Sequence, residues 1–204
     1  GYGGSCFPKD VLACIWMGRE SGAPVELLGA VHQVNQDQRT AFAGKIEGHF
    51  GSDLGGKRIA VWGIAFKPGT DDIREAPSIS LIEHLLNCGA SVIAHDPVAQ
   101  ENCRQIFGDR IAYADDPLQA LEAADALVIC TDWDEFKHPD LDQLRQCMKQ
   151  TVIFDGRNLY RPETMREFGF VYYSVGRRPI GSLEERSSES SSPPADFRST
   201  CAPT

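Results

Sequence analysis

Between residues 57 and 175, short apolar runs alternate with stretches of helical period about six times. This alternation limits the fold more than any other feature of the chain. The runs at 59–64, 91–95, 111–113, 126–131, 151–155 and 170–175 have strand length and are rich in β-branched and aromatic residues. Helical segments are predicted between them at 78–88 (ended by Gly89), 100–107, 117–123, 141–148 and 163–168. Strands separated by helices pair in parallel through right-handed crossovers, and such a sheet is covered on both faces. The expected fold class is therefore α/β, a doubly wound parallel sheet whose strands all end at one edge, where ligands bind.

The segment ahead of the sheet is helical. Asp10 is a candidate N-cap, with Pro8 keeping the preceding loop extended, and Val11, Leu12, Ile15 and Trp16 form a short apolar face that stops near Gly18 or Gly22. A longer helix is predicted from Pro24 to about Phe50, with Val25, Leu28, Val31, Val34, Phe42, Ile46 and Phe50 on one buried stripe. At 1.5 Å per residue it spans roughly 39 Å, a length suited to bridging two domains or pairing two subunits. The chain thus divides into an active-site loop with a helical segment (1–50), a sheet domain (51–181) and a Ser-, Glu- and Pro-rich tail (182–204). The tail is expected to be disordered.

Composition narrows the function. A net charge of −9 over 204 residues leaves no excess of Lys and Arg for nucleic acid or an anionic membrane surface. No apolar run approaches the length needed to span a bilayer, and no secretory signal opens the chain; the cysteines read mostly as ordinary reduced thiols, so the expected compartment is the cytoplasm. The seven cysteines are scattered, with no C-x-x-C pair, and no metal site is expected. The chain opens without Met on the glycine-rich stretch Gly1-Tyr2-Gly3-Gly4-Ser5-Cys6, which suggests a fragment of a longer protein.

Three loops at strand ends carry the candidate chemistry. After the first strand comes Phe66-Lys67-Pro68-Gly69-Thr70-Asp71-Asp72-Ile73-Arg74-Glu75, after the second Asp96-Pro97, and after the fifth Asp155-Gly156-Arg157-Asn158. Lys67, Arg74 and Arg157 are expected to converge on one edge, where they suit a pyrophosphate or nucleotide. The alternative is that they form salt bridges with Asp71, Asp72 and Glu75. Asp96 stands where a ribose-binding acid could sit, or it stabilises an Asp-Pro turn. No G-x-G-x-x-G follows the first strand, so an ordinary dinucleotide-binding unit is not expected there. Cys6 lies in a glycine loop beside a helix start with Lys9 nearby, and both dipole and cation favour the nucleophilic thiolate. It is either a nucleophile or a structural thiol. Cys14, Cys88, Cys103, Cys130 and Cys147 fall within helices or strands and read as structural, and Cys201 lies in the tail.

Gly3-Gly4-Ser5-Cys6-Phe7-Pro8-Lys9-Asp10 is similar to the active-site signature of UDP-glucose dehydrogenases. The run 66–77 and Phe154-Asp155-Gly156-Arg157-Asn158 resemble two further signatures of that family, in the same order. The resemblance covers residues 1 to about 181. It implies a Rossmann-like UDP-binding domain, a central helix used for homodimerisation, UDP-glucose as substrate and NAD as cofactor. It implies Cys6 as nucleophile and Asp10 as the acid that positions water. Tyr2, Gly3, Phe66, Lys67 and Arg157 would lie on the substrate, and Lys9 and Arg74 would reach NAD. The reaction implied is a four-electron oxidation to UDP-glucuronate through a thiohemiacetal and a thioester on Cys6. GDP-mannose and UDP-N-acetylmannosamine dehydrogenases share the architecture, and a non-catalytic sugar-nucleotide-binding, dimerising module is the alternative from another class.

Overall fold

A computed structural model of the chain describes residues 1–181; the expectation for the tail, Cys201 included, lies outside them. Helices α1 (Phe7–Glu20) and α2 (Glu26–Phe50) precede the sheet domain. There, β1 (Arg58–Trp62), α3 (Pro77–Asn87), β2 (Ser91–His95), α4 (Gln100–Phe107), β3 (Ala112–Tyr113) and α5 (Pro117–Leu121) form the first half. The second half is β4 (Ala126–Ile129), α6 (Asp134–Lys137), α7 (Leu141–Cys147), β5 (Val152–Asp155), α8 (Pro162–Glu167) and β6 (Val171–Ser174).

The six strands are all parallel, in the order β3-β2-β1-β4-β5-β6. The sequence determines this through side-chain alternation. Ile59, Val61, Val92, Ala94, Val128 and Phe154 point to the face covered by α3, α4 and the end of α2. Ala60, Trp62, Ile93, Leu127, Ile129 and Ile153 point to the face covered by the helices from α5 to α8. Each of the four central strands, β2, β1, β4 and β5, is thus apolar on both sides, as a parallel sheet requires. Burial of each large side chain here contributes about 1.5–3 kcal/mol. The order reverses between β1 and β4, so the loops after these two strands diverge and leave a crevice at their carboxyl ends.

Two expectations about the helices need correction. Helix α1 begins at Phe7 with Cys6 as its N-cap residue, so Asp10 sits inside the first turn and caps nothing. Pro8 lies within that turn, where its missing N–H has no partner to lose and its fixed φ already suits a helix. In α2 the stripe is buried only toward the C-terminal end. Ala43 and Ile46 are buried, with Phe42 and Phe50 packed against the sheet core, whereas Leu27, Val31 and Val34 stay exposed. Helix α2 runs past the sheet, and there it packs against α1 instead. Toward its other end the helix is fastened to the domain by Glu47 to His84 Nε2 at 2.5 Å and His49 Nδ1 to the Tyr173 hydroxyl at 3.0 Å. No helix among the described residues is long and apolar enough to cross a membrane.

Candidate functional site

The crevice is shaped by two buried carboxylates, Asp96 and Asp155. Asp96, at the end of β2, is 1% exposed. Its Oδ2 accepts from the amides of Ile64 (2.7 Å) and Ala65 (3.0 Å) and from Trp133 Nε1 (3.0 Å). Its Oδ1 accepts from the amides of Val98 (3.0 Å) and Ala99 (2.9 Å). This is the turn-stabilising reading, extended to three loops, and it leaves no lone pair for a ribose. Asp155 does the same after β5, accepting from the amides of Arg157 (2.8 Å), Leu159 (2.7 Å) and Tyr160 (3.2 Å) and from the Tyr172 hydroxyl (2.7 Å).

Arg157 is clamped by this geometry. Its Nε donates to Cys130 O and its Nη2 to Phe66 O, both at 2.8 Å, so one guanidinium joins the loops after β1, β4 and β5. Its carboxylate neighbour is Asp132 at 3.8 Å, and not Asp71, Asp72 or Glu75. It lines a cleft of about 100 Å³ shared with Arg39 and Phe42 of α2, Leu81, Ile129 and Gly156. A Cβ on Gly156 would come within 2.8 Å of Ile129 O, so only glycine admits the close approach of the β4 and β5 ends.

The other two cations sit differently. Lys67 is exposed, 5.4 Å above the Phe66 ring, and has no carboxylate within 4.0 Å among the described residues. Arg74 forms a two-pronged pair with Asp72, Nε to Oδ1 at 2.9 Å and Nη2 to Oδ2 at 2.8 Å. The salt-bridge reading therefore holds for Arg74, and it lines a separate surface hollow with Asp72, Asn102 and Gln105. Convergence of Lys67, Arg74 and Arg157 into one cleft is not what the structure has. The guanidinium hydrogen bond holds the Asp72 carboxyl down at about 2.

The loop bearing Cys6 rests on this edge. The Gly4 amide donates to Arg74 O at 2.9 Å, Gly4 (φ 88°) lies flat on the Phe66 ring, and Gly3 packs on the Glu75 carbonyl. A Cβ on Gly4 would stand 2.8 Å from that ring, so the contact needs glycine twice over. Cys6 is exposed at the N-cap of α1, its Sγ 3.6 Å from Ser5 Oγ. Lys9 pairs with Asp10 at 3.0 Å, and that carboxylate is the main cause of the raised Lys9 pKa. Tyr2 stacks edge-on against Phe7 at 4.6 Å. Of the remaining thiols, Cys103 and Cys130 are buried, and burial raises them to about 11 and about 12, which makes them poor nucleophiles. Cys14 is exposed on α1, and Cys88 and Cys147 are half-buried.

A dinucleotide cradle does not fit the β1 loop. Such a cradle needs free amides directed at a pyrophosphate, and here those of Ile64 and Ala65 are spent on Asp96. Gly63 (φ 87°) packs against Thr131, and α3 starts only at Pro77, so no helix N-terminus follows the strand directly. Lys9 and Arg74 are exposed and paired with Asp10 and Asp72.

Residues 60–162, half of the chain, match the UDP binding domain of the UDP-glucose/GDP-mannose dehydrogenase family, and residues 1–37 match that family's central domain. The chain belongs to this family. Among curated family members, UDP-glucose 6-dehydrogenase of Pseudomonas aeruginosa is 44% identical over 89% of the chain, and that of Haloferax volcanii is 48% identical over 86%. The chain spans about 40% of the length of these relatives, 41% and 39% respectively. Among solved family structures, a UDP-glucose dehydrogenase from Pyrobaculum islandicum matches 87% of the chain with a TM-score of 0.76 at 35% identity. A UDP-D-ManNAc dehydrogenase from Pyrococcus horikoshii matches 87% with a TM-score of 0.69 at 28% identity. Each of these two structures is covered to less than two-fifths, 38% and 39%.

Proposed function

We propose that this chain supplies the nucleophile and the UDP-sugar site of a UDP-glucose 6-dehydrogenase that makes UDP-glucuronate. The observation that carries the proposal is the physical linkage of two sites. The Cys6 loop is bonded to the 66–76 loop through Gly4 and Arg74, and the same loop's Phe66 carbonyl holds Arg157. A thiol at the open start of a helix is thereby suspended over an edge carrying Lys67 and Arg157. The similarity to curated UDP-glucose 6-dehydrogenases favours glucose over mannose or N-acetylmannosamine.

In this reading Lys67 and Arg157 take the diphosphate, Phe66 carries substrate on its face, and Tyr2 and Gly3 line the sugar's path to Cys6. NAD, when bound, would take up the two hydrides of a four-electron oxidation, the first leaving C6 as its hydroxyl loses a proton and becomes the aldehyde; Lys9 and Arg74 are the residues of this chain that would reach toward it. Cys6 thiolate adds to the C6 aldehyde carbon, giving a thiohemiacetal. Loss of hydride from that carbon leaves a thioester, and water, oriented by Asp10, displaces the thiolate to give the carboxylate. The chain is divided at 50/51 and 181/182, works in the cytoplasm, and pairs with a second copy through α2.

The test is calorimetric titration of the chain with UDP-glucose, GDP-mannose and NAD, with absorbance at the NADH band. UDP-glucose should bind measurably, GDP-mannose less well and NAD weakly, with no NADH formed. Equal binding of the two sugar nucleotides would overturn the substrate assignment. NADH formation by this chain would overturn the division of labour.

A further inference from the structure

Helix α2 presents Asn35 and Arg39, four residues apart on one face, to the backbone of the Cys6 loop. Asn35 is 4% exposed, one of few buried polar groups on an otherwise wet stretch of helix. Its Oδ1 accepts from the Tyr2 amide at 2.7 Å and its Nδ2 donates to the Tyr2 carbonyl at 3.1 Å. The side-chain amide thus satisfies both backbone groups of Tyr2, as a neighbouring strand would. Arg39 extends the same contact: its Nη2 donates to Tyr2 O at 3.4 Å and to Glu75 O at 2.9 Å, and it pairs with the Glu75 carboxylate at 3.4 Å. Glu75 is held at φ 52°, an uncommon backbone for a residue with a side chain. Gly3 packs directly on the carbonyl that Arg39 grips.

These contacts form one strap. It runs from α2 through Tyr2 to Glu75, and both ends of the Cys6 loop hang from it: Tyr2 directly, and Gly4 through Arg74 O. Burying an amide this deeply costs stability unless both its hydrogen-bonding groups are paired, so the site accepts Asn and few other residues. We propose that Asn35 and Arg39 are positioning residues that set the reach of Cys6 over the Phe66–Arg157 edge, coupling the placement of α2 to that of the nucleophile. The proposal rests on the reading of Cys6 as nucleophile.

The experiment uses this chain with Asn35→Ala, Asn35→Asp and Arg39→Ala. The readouts are exchange of the Gly4 amide, which neither side chain touches, and alkylation of Cys6 by iodoacetamide relative to exposed Cys14 on the same helix, by peptide mass spectrometry. The sheet amides of Val61 and Ala94 and the melting temperature report general loosening. In Asn35→Ala, Gly4 should exchange roughly ten- to a hundredfold faster and the Cys6 to Cys14 ratio should rise several-fold, with the sheet amides unchanged. Asn35→Asp keeps the acceptor for the Tyr2 amide and should fall between, and Arg39→Ala should follow Asn35→Ala. A Gly4 rate equal to wild type in both alanine variants, or rising only in step with the sheet amides, overturns the proposal. UDP-glucose binding to the unaltered chain reports the functional reading separately, so the two can fail independently.

Discussion

Asp96→Asn probes the carboxylate that shapes the crevice, and its cost follows from the hydrogen bonds it ends. In the native chain Oδ2 serves three donors and Oδ1 two. Asparagine has one carbonyl oxygen. If it faces Ile64, Ala65 and Trp133, its NH2 confronts the amides of Val98 and Ala99, two donors against donors. The opposite orientation strands three. A hydrogen bond to a charged acceptor contributes about 1.5–3 kcal/mol, so losing two costs about 3–6 kcal/mol. Val98 is half exposed, so water can serve its amide, and the lower part of the range, about 3–4 kcal/mol, is expected. At about 2–4 °C per kcal/mol for a chain of this size, the melting temperature should fall by about 6–16 °C. Thermal unfolding followed by circular dichroism, with urea midpoints as a check, measures this. The loss should appear as a lower urea midpoint at unchanged slope, since the surface exposed on unfolding is the same. A melting temperature within about 2 °C of wild type would refute the reasoning, because five bonds to one buried carboxylate would then carry almost no free energy.

Three further outcomes are expected. Arg157→Lys keeps the charge but loses the planar fork on Cys130 O and Phe66 O, so UDP-glucose should bind roughly 10- to 150-fold more weakly in calorimetry while weak NAD binding stays as it was; an unchanged constant would sink the substrate role. Gly63→Ala places a methyl 2.6 Å from the Thr131 amide nitrogen at φ 87°, and strain plus overpacking should cost about 2–5 kcal/mol in urea unfolding. Asp72 is held at about 2 by Arg74, below its ordinary 3.8, so the pair's contribution to stability is complete above about pH 4 and is lost as pH falls through about 2. A carboxyl NMR titration should show that low midpoint in wild type and a value near 3.8 in Arg74→Ala; the same midpoint in both would show the guanidinium does not hold it.

The strands and their faces were legible because a parallel sheet demands apolar residues at consecutive positions, and runs such as Ile59-Ala60-Val61-Trp62 permit little else. The α4 segment and β2 fall where their periods place them, while the four-residue α6 escaped because one turn holds no period to read. The loop motifs named candidate residues by type, and in that sense Cys6, Lys67 and Arg157 were visible from their spacing after strand ends and glycines. Partnership was not visible. Arg74 is paired two residues away, Lys67 meets no carboxylate among the described residues, and Arg157 grips carbonyls of Phe66 and Cys130, 91 and 27 residues distant. Asp96 carried a turn signature, but its hold on Trp133 and the β1 loop required the closure of β1, β2 and β4 side by side. Asn35 and Arg39 gave no signal at all, for two polar residues on an exposed helix read as solvated. Periodicity is a local property that each segment carries alone, so the sequence determined the elements and their buried faces. Which charge meets which carbonyl depends on distances between segments far apart in the chain, and only the tertiary structure decided those.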